Sequence, residues 1–175
     1  MVLHSPFFCT ITPSFVTRFY MEFESFVVDI INEQTDVQLE EAQVESIVKE
    51  IISFHGEQCH EVAIHFVPVN RICELHMQFF KDPSQTDCIT LPMDDEDEDH
   101  YRHLGEVFVC PKTACEYVKA HGGNFHDEIL LYVVHGMLHL FGYDDLDDAD
   151  RIEMRAAENR HLLNLKEKGL CLSPS

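Results

Sequence analysis

At 175 residues, 45% of them hydrophobic, the chain is long enough to bury a core of its own and short enough to be one domain. No apolar run reaches the roughly 20 residues of a bilayer span, which excludes a helical membrane protein and leaves no membrane partner to expect. A formal net charge of −20 excludes a protein that grips nucleic acid through a generally basic surface, and no DNA partner is expected.

Residues 1–20 contain Phe and Pro but lack the basic start, long apolar core and small-residue cleavage site that together mark a secretory signal. They are expected to be an N-terminal extension of a domain spanning 21–175, with Met21 as an alternative start. Residues 26–31 then predict a strand. Residues 39–54 predict an amphipathic helix, because Val44, Ile47, Val48, Ile51 and Ile52 share one face. A second strand is expected over 62–67 from its alternation and β-branched content, and shorter strands over 88–91 and 106–110. Pro111 is placed to open a helix over 112–120. Asn124 is a candidate cap for the next helix, Asp127 and Glu128 favour its first turn, and Gly142 ends it. A last helix is expected from 149 to about 168, stopped by Gly169. Helices and strands are mixed rather than regularly alternating, which predicts an α+β fold: a single compact domain with a small mixed sheet packed by helices.

Three further features bear on function. Seven cysteines, an odd number with no Cys-x-x-Cys pair, point to reduced thiols and a cytoplasmic protein. His55, Cys59 and His60 form a ligand-like cluster, taken as incidental because it sits at a helix end with no fourth partner. The six acidic residues of 94–99 predict a solvated loop, with docking on a basic partner such as a ribosomal protein as the alternative; residues 144–150 add five more acids.

The sharpest chemical signal lies in the helix before Gly142. His135 and His139 are four apart, so on a helix both imidazoles project from one face and can share one ion. The preceding residues are almost continuously apolar, so the helix is expected at the core, where an unpartnered imidazole is costly. The turn at Gly142 would bring Asp145 round as a third ligand, with Asp144 its neighbouring competitor. His-x3-His-x5-Asp with its intervening glycine matches the helix-and-turn layout of the long zinc-protease motif. The glutamate that serves those proteases as general base is replaced by Gly136, which argues against proteolysis.

Extended through Gly142-Tyr143-Asp144, the same residues resemble the signature His-Gly-x-Leu-His-Leu-x-Gly-Tyr-Asp-His of the YbeY family of bacterial endoribonucleases and ribosomal RNA maturation factors. Residues 86–92 and 104–110 are similar to two upstream segments of that family, and residues 150–158, with Met154 and Glu158, to its closing helix. The resemblance implies one zinc ion held by His135, His139 and Asp145. It also implies a single-strand-specific endoribonuclease working in ribosomal RNA processing, maturation and ribosome quality control. Its partners would be ribosomal RNA and the small ribosomal subunit or its assembly factors. A water in the open fourth position of the metal is the expected reactive group, no catalytic side chain being identified, and Tyr143 and Asp144 are candidates for orienting the ligands.

Two departures bear on this transfer. Asp145 stands where the family has histidine; a carboxylate is an acceptable zinc ligand, but it weakens the Lewis acid and widens the choice toward Mn²⁺ or another divalent ion. Phe80 stands where the family has an arginine suited to phosphate, and Lys81 is the nearest cation able to contact phosphate in its place. A metal-dependent hydrolase of another substrate, and a ribosome-assembly adaptor with a structural metal, remain as alternatives.

Overall fold

The computed structural model describes residues 26–93 and 101–173. The expected N-terminal extension and the acidic run 94–99 lie outside the described residues.

Four strands form one sheet: β1 (Val27–Asn32), β2 (Glu61–Phe66), β3 (Cys88–Pro92) and β4 (His103–Val109), in the order β1-β2-β4-β3. β1 and β2 are parallel, as are β2 and β4, and β3 runs antiparallel to β4, so the sheet is mixed as expected. Side chains alternate across it. Val107 and Val109 of β4 point into the larger core, while Phe108 between them points into a smaller one. The smaller cluster, with Val67, Ile72, Leu75 and Ile89, lies under α2 (Val69–Phe80).

The larger core is built from the sheet and four helices. α1 (Glu41–His55) lays Val44, Ile47, Val48, Ile51 and Ile52 on the sheet, the face its periodicity predicted. α4 (Phe125–Leu140) packs against β3, β4, α3 (Pro111–His121) and α5 (Asp148–Glu167), which makes it the central helix of the fold. Its ends are set locally. The Asn124 side chain accepts a hydrogen bond from the His126 backbone N–H at 2.8 Å, and Gly142 adopts φ 90°, a left-handed conformation that lets the chain reverse. Pro111 opens α3, and Asp147, one of the acids beside the motif, caps α5 by accepting from the N–H groups of Ala149 and Asp150.

Gly136 has a structural reason to be glycine. A Cβ there would stand 2.3 Å from Cγ1 of Val107 and 3.3 Å from the Thr90 hydroxyl, so α4 touches β4 and β3 through bare backbone. The Thr90 hydroxyl donates to the Gly136 carbonyl at 3.3 Å along the same contact. The position that would carry a protease base therefore faces the sheet, away from the two histidines.

α2 is the element that periodicity alone left unassigned. Val69, Ile72 and Leu75 do recur at helical spacing, but the exposed Met77, Phe79 and Phe80 blur the boundary between its faces.

Gly136→Ala is expected to cost about 1–3 kcal/mol by overpacking, lowering the melting temperature by several degrees in a thermal unfolding scan, with zinc binding weakened as α4 is pushed off the sheet. A variant that melts with the wild type would contradict the close helix-sheet contact.

Candidate metal centre

The solvent side of α4 carries the two histidines. His135 Nε2 and His139 Nε2 stand 3.1 Å apart, and His135 Nε2 is 3.9 Å from Oδ2 of Asp145. One ligand atom from each of the three residues lies within 4.8 Å of the other two. An ion with Zn–N bonds near 2.05 Å and tetrahedral angles spaces its ligand nitrogens about 3.3 Å apart, so the imidazole pair is already at ligating distance.

The far side of each ring decides its protonation. His135 Nδ1 lies 2.8 Å from Oε1 of Glu158, and His139 Nδ1 lies 2.9 Å from the backbone carbonyl of Tyr143. A carboxylate and a carbonyl only accept, so both Nδ1 atoms are N–H donors. The Nε2 atoms of neutral rings then turn two lone pairs toward one another, an arrangement that repels unless one Nε2 carries a proton or a metal ion lies between them. The donor set, two imidazoles and one carboxylate with the rings held by outer hydrogen bonds, fits a divalent ion.

The loop after α4 delivers Asp145. Its backbone N–H donates to Oδ1 of Asp144 at 2.7 Å, so the Asp144 carboxylate is occupied by the turn itself and Asp145 is the acid that joins the histidines. Arg151 fastens the loop from α5, donating to the carbonyls of Asp145 and Leu146 at 3.0 and 2.9 Å and to the Asp148 carboxylate. Tyr143 acts on the site through its carbonyl, while its ring packs against the core and meets His55 edge-on.

His135 and Asp145 form part of the wall of a cavity of about 770 Å³ between α5, α4 and the segment leading into β3. Four carboxylates line it, those of Asp87, Glu128, Asp145 and Glu158, against the two guanidiniums of Arg151 and Arg155. The cavity thus carries two excess negative charges, which one divalent ion would neutralise. Lys81 is not among the lining residues. It closes α2 with φ 63° and donates to the Gln78 carbonyl at 3.1 Å, while Phe80 beside it is exposed. Nor do His55, Cys59 and His60 converge. The His55 ring stacks on Phe141, His60 Nδ1 accepts from the Arg102 N–H, and the only metal-sized His/Cys/Asp/Glu group among the described residues is the one on α4.

A family model described as "Endoribonuclease YbeY" matches residues 29–166, a span that includes all four strands but the first two residues of β1, and the three candidate ligands. The chain belongs to the YbeY family. Its similarity to curated family members extends over most of their length. It is 45% identical over 141 residues to the "Endoribonuclease YbeY" of Protochlamydia amoebophila, covering 81% of this chain and 94% of that protein. To the protein of the same name from Chlamydia pneumoniae it is 34% identical over 154 residues, covering 86% and 98%. The solution structure of TM1509 from Thermotoga maritima superposes with a TM-score of 0.58 at 26% identity, over 81% of this chain and 91% of that one.

Within this YbeY-family site, Glu158 is the residue that spacing along α4 could not supply. The sequence signal for it was the resemblance of residues 150–158, Glu158 included, to the family's closing helix, and its burial agrees. Met154, Ala157, His161 and Leu165 make the buried stripe of α5, and Glu158 sits beside that stripe, half-buried, where a carboxylate requires a partner. Its effect on His135 is electrostatic as well as geometric. Burial pushes the imidazole toward its neutral form, but the hydrogen bond and charge of Glu158, helped by Asp87 and Asp145, outweigh it and raise the pKa above 6.5.

Ion and proton compete for His135 Nε2, so zinc affinity should fall as pH drops through that raised pKa. Glu158→Gln removes the charge that holds the proton. Its affinity at neutral pH should fall about 10–100-fold, while the midpoint of the pH dependence moves to lower pH. Competition with a chromophoric chelator between about pH 5 and 8 measures both, and an unshifted midpoint would refute the role assigned to Glu158.

Proposed function

We propose that this protein is a metal-dependent, single-strand-specific endoribonuclease that acts in the cytoplasm on ribosomal RNA, in processing, maturation and quality control of the small ribosomal subunit. The domain responsible is residues 21–175. The observation that carries the reading is the cluster of the two imidazole Nε2 atoms and Asp145, with His135 and Asp145 on the wall of a cavity, in a chain of an endoribonuclease family.

The chemistry of the site supports hydrolysis rather than a purely structural metal. Three protein ligands rather than four are gathered among the described residues, and a catalytic ion keeps a position open where a structural one is closed. When bound, a divalent ion, zinc or with this carboxylate ligand manganese, supplies Lewis-acid polarisation of a phosphodiester and lowers the pKa of a coordinated water. The side chains of this protein do the positioning. Glu158 and the Tyr143 carbonyl fix both imidazoles as Nε2 ligands, and Arg151 holds the loop of Asp145 against α5. With Gly136 pressed on the sheet, no carboxylate stands at the position of a protease base, which disfavours peptides as substrate.

Single-strand selectivity is part of this proposal: a cavity of about 770 Å³ lined from α3, α4 and α5 suits unstacked nucleotides, which a single strand presents and a duplex does not.

The test is cleavage of end-labelled single-stranded and duplex ribosomal RNA fragments by the zinc- or manganese-loaded protein. Internal cuts in the single strand are expected, lost on chelation and restored by the ion. His139→Ala should reduce the rate by more than the roughly 10–100-fold typical of losing an orienting partner. Cutting that survives in His139→Ala would contradict the metal mechanism, and a loaded protein inert on every RNA would favour a different substrate.

A further inference from the structure

The acidity of this protein poses a specific problem for any RNA substrate, since each nucleotide brings a negative phosphate to a cavity lined by four carboxylates. One divalent ion brings the cavity only to neutrality. An attractive contact for the backbone needs a cation that is not already committed, and the two guanidiniums on the wall differ in this respect.

Arg151 is committed to the protein through both Nη atoms. It donates to two carbonyls of the loop that carries Asp145 and to the carboxylate of Asp148. Arg155, one turn further along α5, lines the same cavity and is exposed. Among the described residues it has no hydrogen-bond or ion-pair partner, although Glu158 is only three residues away on the same helix, because that carboxylate is turned to His135. An arginine surrounded by acids and paired with none keeps its full fork of donors available.

We infer that Arg155 is the phosphate-binding residue of this site, holding an RNA backbone phosphate beside the His135–His139–Asp145 centre. The assignment rests on the endoribonuclease reading above and adds to it the residue that makes the cavity attractive to its substrate. Guanidinium and phosphodiester match as a fork of N–H donors to two anionic oxygens. Removing the charge of Arg155 would leave the ion-loaded cavity with a net negative charge, so the residue sets the sign of the field that the phosphate meets. It touches substrate backbone rather than a base, so its contribution is independent of RNA sequence and sensitive to salt. The same charge explains how a chain of net charge −20 can bind RNA without a basic surface: the attraction is confined to one groove.

The experiment is fluorescence anisotropy of a labelled single-stranded 2′-O-methyl RNA with the full-length zinc-loaded protein, across a series of salt concentrations. Four proteins are compared: wild type, Arg155→Gln, Arg155→Lys, and Lys49→Gln, which removes the same charge from α1, outside the cavity. Arg155→Gln should raise the dissociation constant about tenfold or more and flatten the slope of log Kd against log salt by about 0.7. Arg155→Lys should recover the slope, and Lys49→Gln should change neither quantity. A merely structural role for Arg155 would alter affinity without altering the salt slope. If Arg155→Gln matches Lys49→Gln while the wild type binds RNA, this assignment is overturned and the endoribonuclease reading stands; if the wild type binds no RNA at all, both fall.

Discussion

Two imidazole Nε2 atoms 3.1 Å apart repel one another as neutral rings and are held together either by a proton on one of them or by a metal ion between them, and the surrounding structure keeps them in place. The rings are not free to relieve the repulsion by flipping. Glu158 on α5 holds one Nδ1 and the carbonyl of Tyr143 holds the other, so the tautomer of each ring is set from behind. One anchor comes from a separate helix and the other from the turn that follows the motif. Packing of α4 against α5 and reversal of the chain at Gly142 are therefore both conditions for this arrangement of the two rings.

The sheet supplies the other half of this constraint. Gly136 sits between the two histidines in sequence but on the opposite side of α4, where its lack of a Cβ lets the helix rest on Val107 and Thr90. That contact fixes the rotation of the helix about its axis, and with it the direction in which His135 and His139 project. The same strands carry the chain into the cavity: Asp87, immediately before β3, accepts the N–H of Cys88 and lines the cavity wall. A residue change that looks remote from the metal, at the helix-sheet interface or along the inner face of α5, thus acts on the ligand geometry through one rigid element.

Much of this was legible in the sequence because it depends on local rules. The strands and the helices α1, α3, α4 and α5 follow from apolar periodicity, proline at a helix start, the Asn124 cap and the glycine turn, and the i,i+4 histidines follow from the helical repeat itself. The choice of Asp145 over Asp144 also agreed with spacing, although the reason, an Asp144 side chain spent on the next backbone N–H, is visible only in three dimensions. What stayed hidden depends on tertiary packing. Glu158 lies 23 positions beyond His135, and nothing in the local pattern says that α5 folds back to meet α4. Gly136 read as the loss of a catalytic base, whereas the structure gives it a packing role. Lys81 was the nearest cation in sequence to the motif's missing arginine, yet the cavity takes its cations from α5.

The centre of this account is that His135, His139 and Asp145 hold one divalent ion and leave part of its coordination sphere open to the cavity. X-ray absorption at the metal edge of the purified protein measures that directly. The account predicts about one ion per chain in an all-nitrogen and oxygen shell of about four ligands near 2.0–2.1 Å, with the outer-ring scattering of two imidazoles. A sulfur scatterer near 2.3 Å, or a shell with no imidazole signature, would contradict it.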